Sequence, residues 1–345
     1  MADLKNYKNS FKRPWQKTSV KLMIKKKKRT KFGLAKIFRK KKSKAIAYLL
    51  ESSSLSDMNA AKDWNTKLLD FHWKFYSELS YQRNQNIEKI KQALNLAAVS
   101  NFEFKNWQRA VKYKYSLHPL CTLGSISFIG GRFNSGKEIN SQLPEFPCLY
   151  ITEDKTTALQ ETLGQVASKN SKLSPIELAL TNNDSQTMVS ISGRLDKVID
   201  SRKAKNLHLL VKIFKTFKIS KELMKLAKQI NAEDPKLIAN DKALLDSILE
   251  QNWRDKPVNF DIPSNSQIFG YLVYLSGVDA IIYPSKMTGK NCLAIYVRNF
   301  EKGESFVHLD DDVPDPKVPN RIDSSCWRLS ELDINEINNN SEMTH

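Results

Sequence analysis

Apolar residues recur at spacings of three and four in the first third of the chain: Trp64, Leu68, Phe71, Phe75 and Leu79, then Ile87, Ile90, Leu94 and Ala97. That period puts them on one helical face, so the stretch from Ala45 to about Lys112 reads as helical. Ser56 or Asp57 is its candidate cap, and the aromatics read as core rather than as a recognition surface. Beyond Tyr113 the pattern turns to short β-prone runs at Ile126–Ile129, Cys148–Ile151, Thr187–Ile191, Asp279–Tyr283 and Cys292–Val297. Helical patterns separate them at about 155–168, 207–230 and 241–251, then at 266–276, which ends at Gly277. Strands divided by helices and long loops predict a mixed α+β domain.

Charge changes this picture only at the front of the chain. The 345 residues carry 55 Lys+Arg against 37 Asp+Glu, a formal net charge of +18. Residues 1–45 hold eighteen of the basic groups and one acid, Asp3, so the remainder is close to neutral. Runs such as Lys25–Arg29 and Arg39–Lys42 repel themselves, which predicts a disordered arm. Interleaved apolar residues (Val20, Leu22, Ile24, Phe32, Leu34) leave three uses open beside a solvated tail: nucleic acid, an anionic membrane surface, or a delivery signal. From Glu304 the tail is acidic, with ten Asp+Glu against three basic groups, and it could lie against the arm.

The four cysteines, Cys121, Cys148, Cys292 and Cys326, form no C-x-x-C pair and have no histidine at zinc spacing. Neither a disulfide framework nor a metal site is indicated, and a reducing, cytoplasmic setting is the simplest. No run of about 18 apolar residues predicts a membrane span, and no apolar signal-peptide segment opens the chain.

Four segments carry candidate chemistry. In Ser125-Ile-Ser-Phe-Ile-Gly-Gly-Arg-Phe-Asn-Ser-Gly136, two glycines allow a tight turn and close approach of a ligand. Arg132 then offers a planar fork suited to phosphate oxygens. In Pro147–Glu161 a strand carries Tyr150, Asp154 is a plausible N-cap, and Glu161 points away from the face shared by Leu159, Leu163 and Val166. Ser264–Gly277 is a helix that, read alone, is core. Asp279–Asn291 is a buried strand running into a Pro284-Ser285 loop. Ser285 has no activating histidine nearby and no G-x-S-x-G context, so it suits hydrogen bonding better than nucleophilic attack.

In this order the segments resemble the RES domain, named for Arg, Glu and Ser and found in bacterial toxins that attack NAD⁺. The likeness runs from about Tyr113 to Phe300: G-G-R-F-N, then L-Y followed by A-L-x-E, then Gln267-Ile-Phe-Gly, I-I-Y-P-S and G-x-N-x-L-x-I-Y. It departs from the family pattern in the extra residues Lys137–Phe146, in a helical elaboration between Arg194 and Trp253, and in Lys112–Tyr115 where relatives carry an arginine.

The resemblance implies an ADP-ribosyltransferase-like mixed and antiparallel β core with flanking helices. The expected layout is a basic arm (1–45), a helical N-terminal region (46–111), a RES catalytic domain (112–302, helical insert about 195–252) and an acidic tail (303–345). It also implies Arg132, Tyr150, Glu161 and Ser285 as the catalytic set. Gly131, Asn134, Thr157 and Asn291 would contact the ligand, with Asn299 a weaker choice than Asn291.

NAD⁺ is then substrate, no metal is expected, and an antitoxin or immunity protein is the implied partner. The expected reaction is cleavage of the nicotinamide–ribose bond, with water or phosphate as acceptor. ADP-ribosylation of a protein is the alternative, and a nucleic-acid binder acting through residues 1–45 is the competing class.

Overall fold

The computed structural model describes residues 55–139, 143–163, 186–232, 235–313, 315–333 and 336. The basic arm, and any pairing of it with the acidic tail, lies outside these residues. Among the described residues no helix is long and apolar enough to cross a membrane.

The chain divides into two compact units. The described part of the first comprises residues 55–79 of helix α1 (Leu55–Gln85), together with α5 (Lys221–Gln229) and its flanks. The expected stripe of α1 is its core: Phe71 packs with Leu223, Ala227 and Ile230, flanked by Trp64, Leu68 and Phe75. Trp64 Nε1 donates to the Ile230 carbonyl at 3.0 Å, and Ser220 caps α5 while bonding to Glu78.

The second unit holds α2 (Ile87–Ala97), β1 (Val99–Lys112), β2 (Leu149–Thr152), α3 (Lys155–Leu163) and β3 (Gln186–Asp200). It continues through α4 (His208–Phe214), α6 (Asp241–Ile248), α7 (Asp255–Phe260), α8 (Asn265–Leu275), β4 (Ala280–Pro284), β5 (Asn291–Ile295), β6 (Phe306–Leu309) and β7 (Arg321–Ile322). The sheet order is β1-β2-β5-β4-β3-β6-β7, and β1 also pairs with β3. The first five strands therefore close into a ring. All pairings are antiparallel except β3 with β4.

Both faces of β2, β4 and β5 are buried, which is why their sequences read as unbroken apolar runs. Along β4, Ala280 and Ile282 join one core with Leu149, Ile151, Leu293 and Ile295, to which all five ring strands contribute. Ile281 and Tyr283 join the other, with Cys292 and Ala294 of β5 and with Phe269, Leu272 and Val273 of α8. Tyr150 packs on this second, helix-covered side. The period of two in the strands thus decides that the site faces the helices.

Three expectations are corrected. Residues 99–112 form a strand rather than the end of the helical region. Their alternation of Phe102 and Phe104 slips by one residue before resuming at Trp107, Arg109 and Val111, because the pairing with β3 shifts between Phe104 and Trp107 and Asn106 takes a positive φ of 57°. Ile126–Ile129 is no strand: a 3₁₀ turn occupies Leu123–Ile126, and Phe128 and Gly130 take φ of 56° and 83°. The acidic tail also joins the fold, with β6 and β7 extending the sheet from β3. The elaboration expected from about residue 195 begins only after Asp200, where β3 ends.

Candidate active site

The Gly130–Asn134 loop is fixed from several directions. Gly130 needs its positive φ, and a side chain at Gly131 would stand 2.6 Å from the Tyr150 hydroxyl and 2.7 Å from Asn134 Oδ1. Asn134 is fully buried and hydrogen-bonded throughout. Its Oδ1 accepts from Gly131 N–H (3.0 Å) and from the Tyr150 hydroxyl (2.8 Å), while its Nδ2 donates to the Ser125 and Phe146 carbonyls.

Tyr150 accepts in turn from Phe133 N–H at 2.9 Å. From the other side, buried Gln267 on α8 donates to the carbonyls of Ile129, Gly131 and Asn134, and Tyr296 donates to that of Phe133. Burial raises the hydroxyls of Tyr150, Tyr283 and Tyr296 well above the ordinary phenol range, so they act as neutral groups.

This scaffold presents half-buried Arg132, whose Nη1 donates to the Glu250 carbonyl at 2.8 Å. Glu161 comes from α3, which starts where Asp154 caps Thr157 N–H at 2.8 Å. The carboxylate accepts from Ser285 Oγ at 2.6 Å. Ser285 itself accepts from Met287 and Thr288 N–H at 3.1 and 3.3 Å, which directs its proton at Glu161. Glu161 Oε2 has no hydrogen bond among the described residues.

Arg132, Tyr150 and Glu161 lie close enough to act together on their surroundings. Each contributes electrostatically to the shift of Tyr283, after burial and Cys292. The same three groups act on Arg254, behind burial as the main cause. Direct bonds join the motif residues in two pairs, Tyr150 with the arginine loop and Ser285 with Glu161.

Not every expected contact is free for a ligand. Thr157 is fully buried, with its hydroxyl bonded to Asp154 and to Thr288, so it ties α3 to the loop after β4. Asn291 is half-buried and engaged with Glu153 through its amide and backbone N–H. Asn299 spends its amide on the Tyr274 and Val278 carbonyls. Cys148 and Cys292 are buried, and burial pushes both thiols above their ordinary range, which removes them as nucleophiles. Among the described residues no group of three or more His, Cys, Asp or Glu is placed to hold a metal.

Reading the sequence missed four groups. Gln267 and Tyr296 sat inside recognised motifs but gave no sign of bonding to the arginine loop. Trp253 and Arg254 lie beside Arg132, their ring centroid and guanidinium 4.5 Å apart, in a segment with no motif at all.

A search of curated protein sequences finds no match. Among solved structures, the chain is similar to one described as the M. tuberculosis MbcT–MbcA toxin–antitoxin complex, at 12% identity and a TM-score of 0.35, covering 70% of this chain and 95% of that one. Residues 107–316, well over half of the chain, match the RES domain family, and they include every residue of the site just described. The chain belongs to the RES domain family.

Proposed function

We propose that this chain cleaves the bond between nicotinamide and ribose in NAD⁺, transferring ADP-ribose to water or inorganic phosphate. The observation that carries this reading is the Glu161 carboxylate, aimed by the Ser285 hydroxyl at 2.6 Å.

The chemistry asks little of the protein beyond placed charge. Nicotinamide leaves as a neutral molecule from a cationic pyridinium, taking the electron pair of the C–N bond. Positive charge then develops on the ribose carbon and ring oxygen, as in glycoside cleavage. A fixed carboxylate stabilises that charge without having to reorient, and such preorganised electrostatics is usually the largest catalytic contribution. Glu161 Oε1 is held by Ser285, and Oε2 serves the ribose. Ser285 is a positioning residue in this scheme, because its oxygen accepts two amides and its proton is spent on Glu161. Arg132 takes a phosphate oxygen, and the Tyr150 ring borders the nicotinamide.

With water the products are ADP-ribose, nicotinamide and a proton; with phosphate they are the 1″-phosphate of ADP-ribose and nicotinamide. Either drains NAD⁺ from the cell that holds the enzyme, so an inhibitory protein partner belongs to the proposal.

The test is to incubate the full chain with NAD⁺, with and without phosphate, and to identify the products by mass. Nicotinamide release is expected, falling by at least about 100-fold in Glu161→Gln, the scale of losing one preorganised charge contact. Absence of release from the wild-type chain, or equal release from Glu161→Gln, would refute the reading. ADP-ribose found attached to protein would shift it to the transferase alternative.

A further inference from the structure

The segment that leads into α7 delivers two side chains to the edge of the site. Trp253 is buried at 4% exposure, and Arg254, the next residue, is exposed. The Arg254 guanidinium carbon lies 4.5 Å from the Trp253 ring centroid, and that of Arg132 lies 5.9 Å from the same centroid. One indole therefore carries two guanidiniums. Stacking on an aromatic face fixes the plane of a guanidinium while leaving its edge N–H donors free.

Neither cation has a salt bridge among the described residues. Among the described residues, Arg132 has one hydrogen bond, to a backbone carbonyl, and Arg254 has none beyond its stacking contact. The acid beside them, Glu250, offers its carbonyl to Arg132, while its charge acts on Lys256. Other arginines of the same unit close on carboxylates: Arg202 on Asp200 at 2.9 Å, Arg321 on Asp323 at 3.0 Å, and Arg298 on Glu331. The Arg254 guanidinium is lowered from its ordinary value first by burial and then by Arg132, with Glu161 and Tyr150 acting in the opposite sense. Two like charges are thus held about one indole, with donors to spare.

We propose that Arg132 and Arg254, stacked on Trp253, form a clamp for a diphosphate, the linkage that joins the two halves of a dinucleotide. It rests on the NAD⁺ reading for its substrate, and it adds Arg254 and Trp253, which lie outside the motifs that define the site, to Arg132, which lies within them. Two planar forks match two phosphoryl groups, each able to accept bidentate, charge-assisted hydrogen bonds. The ligand's negative charge removes the mutual repulsion of the two cations, so both are held more tightly when it is bound. A single carboxylate would neutralise only one of them, and a neutral sugar neither.

The experiment measures binding of inorganic pyrophosphate, ADP and adenosine to the full chain by calorimetry, for wild type and Arg254→Gln. Any background from the basic arm is common to both proteins. Arg254→Gln is expected to weaken pyrophosphate and ADP by at least about tenfold, the scale of one lost charge-assisted contact, and to leave adenosine within twofold. Thermal unfolding should be unchanged, since Arg254 is exposed. Equal affinity of the two proteins for ADP and pyrophosphate overturns the clamp. NAD⁺ cleavage measured on the same samples separates the two claims: Arg254-dependent pyrophosphate binding without cleavage supports the clamp and refutes the reaction, whereas cleavage with an unchanged KM in Arg254→Gln does the reverse.

Discussion

Tyr150→Phe tests whether the tyrosine hydroxyl is a structural clasp for the arginine loop. In the wild type the hydroxyl accepts from Phe133 N–H at 2.9 Å and donates to Asn134 Oδ1 at 2.8 Å. Asn134 Oδ1 keeps its second donor, Gly131 N–H, when the hydroxyl is removed, so that side loses little. Phe133 is fully buried, and its N–H has nowhere else to turn. The cost is therefore that of one orphaned buried donor, about 1–3 kcal/mol.

For a domain of 150–250 residues each kcal/mol lowers Tm by about 2–4 °C. Urea unfolding should show the same loss as a shift of midpoint at constant slope. Cleavage of NAD⁺ should fall with it, because Arg132 rides on the loop that Phe133 anchors. If stability changes by less than about 0.5 kcal/mol while cleavage is lost, the hydroxyl touches substrate directly and the clasp argument is wrong. The ordinary range for a neutral surface substitution sets that threshold.

Two further outcomes follow from the same packing. A side chain at Gly270 of α8 would overlap the Phe133 carbonyl oxygen and lie 2.6 Å from its carbon and 2.9 Å from its Cα, all backbone atoms with little room to give. Gly270→Ala should thus cost at least about 1–3 kcal/mol and depress activity with it; a fully active, equally stable variant would show that helix and loop move freely. Burial pushes the Asp279 carboxyl up to about 6, although Lys197 N–H and the Ser305 hydroxyl both donate to it. The folded chain holds this proton more firmly than the unfolded chain, so its contribution to stability is full below about pH 4 and is lost as pH rises through 6. Asp279→Asn, which keeps an acceptor oxygen for both donors, should be neutral near pH 4 and stabilising at pH 7 by up to about 3 kcal/mol. Chemical denaturation at the two pH values decides it, and a variant less stable than wild type at pH 7 would count against it.

The parts of this molecule that were legible in its sequence share a physical cause. The strands β2, β4 and β5 showed as short apolar runs because both of their faces are buried, and α1 showed because its stripe recurs at helical spacing over several turns. Arg132, Tyr150, Glu161 and Ser285 were weak signals one by one, and only the order of the motifs that carry them, matched to the RES pattern, picked them out together. β1 was hidden by its own bulge, since a one-residue slip at Asn106 destroys the alternation on which recognition depends. Gln267 was hidden by its neighbours, an apolar helix in which one amide looked incidental until its three carbonyl partners were seen. Trp253 and Arg254 had no periodicity to betray them, because a stacked pair is a contact in space with no signature in spacing.

What separates structural from functional polar groups here is whether their hydrogen bonds are used up. Asn134, Gln267 and the hydroxyls of Tyr150 and Tyr296 spend their hydrogen bonds holding one loop in a conformation that Gly130 alone permits by φ and Gly131 by space. Among the described residues, Arg132, Arg254 and Glu161 keep capacity unspent: donors without a carboxylate, and a carboxylate oxygen without a donor. The first group makes the loop rigid; the second leaves charge unspent on the loop and on other segments, at a cost in self-repulsion that folding alone does not recover. Such a cost persists where a ligand of matching charge recovers it.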